Sequence, residues 1–182
     1  MRVRESQRPH ILEAGLRVAA RNQGAAITLD AVASEAGVTK PGLMYHFPSR
    51  DALMVALVEY AACQLERRMA ALLGGSEGTV EERYRSYVQA AADGQNMRAE
   101  WALWFHSSCR AELQEAWSRH LDRWLLIPEG TPPARRARLL TARLAADGLW
   151  AAQASGVGAP GKADAAAIVA HILGLIGEGG TK

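Results

Sequence analysis

At 182 residues the chain is long enough for one well-buried core, or for a small head on a larger helical body. With 21 basic and 19 acidic residues it carries a net charge of only +2, which excludes a general polyanion binder. Two cysteines exclude a disulfide framework, and apolar runs broken by charge well short of about 18 residues exclude a spanning helix. The N-terminus is basic, but Glu13, Arg17 and Arg21 interrupt any apolar run after it, so no signal peptide is expected, and a cytoplasmic location without a membrane partner follows.

The charge is unevenly placed. Up to Arg50 there are seven basic residues (Arg2, Arg4, Arg8, Arg17, Arg21, Lys40, Arg50) against four acidic ones (Glu5, Glu13, Asp30, Glu35), leaving 14 basic and 15 acidic residues for the rest. A basic head on a neutral body is the asymmetry of a DNA reader.

In chain order, Arg2, Arg4 and Arg8 form a basic tail of the kind that enters a minor groove, although such tails are more often merely solvated. A first helix presents Ile11, Gly15, Val18 and Ala19 on one face and closes at Asn22 to Ala26. Thr28 stands where an N-cap belongs, with Asp30 at the positive end of the helix dipole and Ile27 and Val32 placed as a hydrophobic staple. The device recurs at Thr39, flanked by Val38 and Leu43, with Pro41 tolerated because first-turn amides lack intrahelical partners. Two capped helices this close need a sharp corner, and Gly37 supplies it with a left-handed conformation that costs no Cβ clash. The small Ala33 lets the helices approach, and the result is a helix-turn-helix.

Residues Thr39 to Arg50, TKPGLMYHFPSR, resemble the recognition helix of the TetR family of bacterial repressors. Gly37, Val38, Thr39, Leu43, Tyr45, His46, Phe47 and Leu53 fall in register with that family's pattern, Arg50 stands where it usually has Lys, and Met44 where it has an aromatic. The resemblance covers about fifty N-terminal residues. It implies that Thr39 and Lys40 reach base edges or phosphates, that Pro41 and Gly42 approach thymine methyls, and that Thr28, Tyr45, His46 and Arg50 hold phosphates. Phe47 reads as head core, and Tyr45 fits core or phosphate contact equally. It also implies a homodimer on an operator, released by a small-molecule effector.

A helix capped by Ser49 runs through Leu53, Leu57, Val58 and Leu65 to about Leu73, too long for the head alone and read as a connector ending at Gly74, Gly75 and Ser76. Helices are then expected at Thr79 to Asp93, Met97 to Arg110, Glu112 to Leu126, Pro133 to Ala154 and Lys162 to Ile176. The predicted fold is all-α with about nine helices: a three-helix DNA-binding head at 1–50, and a helical ligand-binding and dimerisation domain at 51–182.

In the middle helices Trp101, Trp104, Phe105, Trp117 and Trp124 crowd together, the aromatic lining of a small-molecule pocket or of a packed core. That run and Asp147-Gly148-Leu149-Trp150 resemble the choline-responsive repressors of the family, which implies a quaternary ammonium ligand held by cation–π contact. Ile168, Ile172, Leu175 and Ile176 make an apolar stripe, and Leu144 and Gly148 lie on the preceding helix. Two such hairpins would form a four-helix dimer interface, and packing within one protomer is the simpler alternative.

Gly156 to Gly161 satisfies G-x-G-x-x-G, but it follows a helix and contains Pro160, so it reads as an interhelical loop. His106 and Cys109, with Cys63, have too few ligands in register for a metal site to be preferred. No nucleophile or carboxylate pair calls for catalysis, and no cofactor is implied. The expected function is a DNA-binding regulator, a repressor in the family's sense; the alternative is a helical small-molecule-binding protein or enzyme with a vestigial head. Salt-sensitive retention of duplex DNA separates the two.

Overall fold

The computed structural model describes residues 7–22, 27–94 and 96–177. Arg2, Arg4 and the closing stretch after Asn22 therefore lie outside the described residues. Among those described there are nine helices and no strand: α1 (Arg8–Asn22), α2 (Leu29–Ala36), α3 (Lys40–His46), α4 (Arg50–Leu72), α5 (Val80–Ala92), α6 (Met97–Ser107), α7 (Ala111–Leu125), α8 (Pro133–Ser155) and α9 (Lys162–Ile176). None is long and apolar enough to cross a membrane. They fall into two compact units, Met1–Ala61 with Arg98–Trp117, and Ala62–Met97 with Ser118–Lys182.

In the first unit α1 turns Ile11, Ala14, Val18 and Ala19 inward, and Leu43, Phe47, Leu53 and Leu57 complete a buried core. A Cβ on Gly15 would stand 2.4 Å from Leu57 Cδ2, so the absent side chain lets α1 lie directly on α4. Charged ties lock α1 to α2. Glu35 accepts from Arg17 Nε at 2.7 Å and from Arg21, and His10 Nε2 donates to the Ala36 carbonyl at 2.9 Å. Hydrogen bonds from Arg17 and then Arg21 hold the Glu35 carboxyl below its ordinary range.

The expected helix at Met97 to Arg110 ends earlier, at Ser107, followed by a turn. Ser108 Oγ donates to the Phe105 carbonyl at 2.7 Å, an acceptor that a further helical turn would use, while Ser107 Oγ back-bonds to Leu103 O at 2.8 Å.

In the second unit α5 packs on both α8 and α9. A capping box opens α5: Thr79 Oγ1 accepts from the Glu82 amide at 3.3 Å while the Glu82 carboxylate accepts from the Thr79 amide at 2.7 Å. Arg135 of α8 clamps Glu81 bidentately at 2.7 and 2.8 Å. The Tyr87 hydroxyl donates to Asp147, whose carboxyl burial pushes upward.

Two residues of the α9 stripe expected at the dimer seam pack within the protomer. Ile172 is 2% exposed and packs inside the protomer, in a cleft lined by Val88, Ala146, Leu149, Trp150 and Val169; Ile176 is likewise buried. Leu144 and Ile168, by contrast, are exposed.

Within this unit Glu66 of α4 gathers three donors from α7: His120 Nδ1 at 2.7 Å, the Trp124 indole N–H at 3.2 Å, and Arg123. Burial alone would raise this carboxyl, but those bonds, led by His120, hold it below its ordinary 4.5. A lowered folded value means stability that is present above the unfolded value and lost as pH falls through the folded one. The acid limb of the stability profile, below about pH 4.5, should therefore flatten in Glu66→Gln when melting temperature is followed against pH. An unchanged limb would remove Glu66 from acid unfolding.

Candidate nucleic-acid interface

The sequence builds the head's corner residue by residue. Thr28, in extended conformation, accepts from the Ala31 amide at 3.1 Å, and Thr39 does the same for Gly42 at 3.2 Å. Between them Gly37 sits at φ 64° and ψ 29°. Its amide bonds Ser34 O at 3.2 Å and the Val38 amide bonds Ala33 O at 3.0 Å, the paired pattern of a Schellman end. No atom lies within 4 Å of a Cβ built there, so the backbone alone demands glycine. Gly37→Ala should cost about 1–2 kcal/mol in chemical denaturation; a neutral result would mean that the corner relaxes freely.

The short α3 buries Leu43 and turns outward nearly everything else. Thr39, Lys40, Pro41, Met44 and Tyr45 are exposed, while Gly42 and His46 are half-buried. Tyr45 is 87% exposed, which resolves its two readings against core; Phe47 is 1% exposed and is core, with the Arg8 guanidinium 5.0 Å from its ring centre. Thr28 is exposed at the head of α2.

The cations are differently engaged. Lys40 Nζ lies 3.0 Å from Asp30 Oδ2, an exposed pair that water readily dissolves. Arg50 Nε donates to the Ile27 carbonyl at 2.8 Å, a strut fixing the entry to α2, and leaves its terminal N–H groups for another partner. Sequence reasoning missed that strut because it joins residues 23 apart. His106 lies near Arg50 and Arg110, and burial first, then those two charges, hold its imidazole below the ordinary value. Among the described residues no three His, Cys, Asp or Glu side chains gather as metal ligands.

The five aromatics of the expected pocket fall in both units. Trp101, Trp104, Phe105 and Trp117 belong to the first unit and Trp124 to the second. Trp104 and Trp117 meet edge to face at 5.7 Å, Trp117 is buried with its indole N–H on Ser107 Oγ at 3.2 Å, and Trp101 is half-buried. Phe105 is 61% exposed and Trp104 is also exposed, so neither is packed as plain core. Trp124 is buried beside Glu66 and borders an open bay. Leu144, Gly148 and Ile168 present an exposed small and apolar face on α8 and α9, and Leu175 is half-buried. The stretch from Gly156 to Gly161 is the loop from α8 to α9, closed by Gly156.

A helix-turn-helix with an outward-facing second helix, joined to a wholly helical remainder, is the build of a DNA-binding transcription regulator. The profile described as "Bacterial regulatory proteins, tetR family" matches residues 11–57, and "Tetracyclin repressor-like, C-terminal domain" matches residues 81–177. The chain belongs to the TetR family.

Solved structures agree in fold. A Rhodococcus sp. protein described as a TetR-family transcriptional regulator is 20% identical, with 94% of this chain and 97% of that one covered and a TM-score of 0.71. A transcriptional regulator from Saccharomonospora viridis in complex with choline is 19% identical, covering 94% and 96%, at 0.70. The multidrug binding protein EbrR complexed with imidazole is 24% identical, covering 97% and 98%, at 0.65. No curated protein sequence matches the chain significantly.

Proposed function

We propose that the chain is a repressor that binds a palindromic operator as a homodimer and lets go when a small molecule occupies its helical domain. The observation that carries this is α3, a capped helix whose outer face holds Lys40, Pro41, Met44 and Tyr45 in solvent while Leu43 alone anchors it. A face so exposed has no folding role and suits a major groove, with Lys40 and Thr39 at base edges, Pro41 and Gly42 against thymine methyls, and Thr28, Tyr45, His46 and Arg50 on phosphates. On this reading residues 1–50 read DNA and 51–182 dimerise and bind the effector.

Dimerisation runs through the exposed side of α8 and α9, with Leu144, Gly148, Ile168 and Leu175. Two recognition helices must sit about 34–36 Å apart to enter successive major grooves, and an effector that changes that spacing weakens binding. The relatives hold choline and imidazole; small-molecule binding, rather than either molecule, is what extends to this chain.

Selection of bound sequences from random duplex DNA tests the proposal. A palindrome with half-sites one helical turn apart, bound with strong salt dependence, is the expected result. Enrichment of no sequence, or of a single unpaired half-site, would overturn it.

A further inference from the structure

We infer that the second unit carries a binding site for an organic monoanion, in the bay between the end of α4, the loop after it, the start of α5 and the end of α7. As the effector's site it rests on the regulatory reading above; as a binding site it does not. The bay has a volume of about 360 Å³ and is lined by Ala70, Gly75, Ser76, Glu77, Arg83, Arg123 and Trp124. That size lies within the range of small-molecule pockets.

Its chemistry is set by which charges are already matched. Arg135 is clamped by Glu81, Arg123 is paired with Glu66, and Arg143 faces Asp147. Among the described residues no carboxylate pairs with Arg83. Its Nε donates to Trp124 O at 3.3 Å, Nη1 to Gly78 O at 3.1 Å and Nη2 to Leu126 O at 3.2 Å. A guanidinium has five N–H bonds, so two remain after those three. Closing the end of α7 explains the three carbonyl bonds. It does not explain an open volume beside the same guanidinium, where Ala70 leaves room that a larger side chain would fill; Gly75, at φ 85°, and Ser76, whose Oγ donates to Leu73 O at 3.0 Å, serve the turn itself.

A carboxylate takes the two remaining N–H bonds, while an apolar body lies against Ala70 and the rim of Trp124, whose ring face carries the Arg123 guanidinium 5.6 Å from its centre. Glu77 is exposed on the rim and repels a second negative charge, so the ligand carries one. None of this is visible along the chain, since Arg83 and Trp124 are 41 residues apart.

The test is calorimetric titration of the full chain with 1-naphthoate, with the 1-naphthyltrimethylammonium cation and with naphthalene-1,4-dicarboxylate. Naphthoate should bind, and the cation and the dianion should be weaker by about tenfold or more, the difference one charge-assisted contact supports. Arg83→Gln should lose about tenfold, and because Arg83 also closes α7, its melting curve is recorded alongside. Ala70→Phe fills the bay with Arg83 intact and should abolish binding without lowering the melting temperature. No heat from naphthoate, equal binding of the cation, or undiminished binding to folded Ala70→Phe overturns the site. Binding that leaves operator affinity unchanged overturns the effector role alone. Operator release by naphthoate that persists in Ala70→Phe overturns this site and leaves the regulatory reading standing.

Discussion

Leu144→Asp is expected to convert the proposed dimer into monomers and to weaken operator binding by about 100- to 10,000-fold, the gain that joining two half-site contacts supplies. Leu144 is 67% exposed on α8, so the substitution removes nothing from the protomer's core. In the proposed seam, however, it would bury an unpaired carboxylate at a cost of several kcal/mol. Light scattering should report half the mass, with helix content unchanged by circular dichroism. Ile172→Asp makes the contrast: it puts the charge into the core itself, so helix content should collapse as well. A Leu144→Asp dimer of normal mass would place the interface elsewhere.

Lys40→Ala should cost roughly 1–3 kcal/mol of specific affinity per half-site, with base preference relaxed at one position of each. Asp30 sharpens the expectation. In the free protein it pairs with Lys40 in an exposed contact worth about 0–1 kcal/mol, so the lysine leaves it for DNA at little cost. Without the lysine that carboxylate faces DNA alone. Asp30→Asn should accordingly tighten binding while leaving sequence preference intact, and binding curves on operator and scrambled duplexes separate the two effects. If both variants bind as the parent does, Lys40 points away from the groove.

The head was legible because its signals are local. Thr28, Thr39 and Gly37 act on amides and carbonyls three to five residues away, so reading along the chain finds both the donor and its acceptor. The nine helices follow from the same kind of signal, and the early stop at Ser107 escaped because serine back-bonds carry no glycine or proline to announce them.

What periodicity could not give is the direction in which a stripe faces. Ile168 and Ile172 are one turn apart and both apolar, yet one is exposed and the other is sealed against α5 and α8. Their difference comes from where α9 meets its neighbours, which no residue of α9 encodes alone. The tryptophans pose a related problem: periodicity and clustering cannot tell a packed indole such as Trp117 from an exposed one such as Trp104.

The ties between α1 and α2 have a consequence for ionic strength. Counting arginines along the head would suggest many phosphate partners, and each phosphate neutralised in a duplex steepens the slope of log K against log[salt] by about 0.9. Arg17 and Arg21 already share Glu35, however, so they release no counterions unless that bond breaks. A dimer using only Lys40 and Arg50 from each protomer would show a slope of about −3.6. Glu35→Gln releases both arginines, and a steeper slope in that variant would show that they reach phosphates once untied, an unchanged one that they do not. Glu35 thus keeps two of the head's cations for holding α1 to α2.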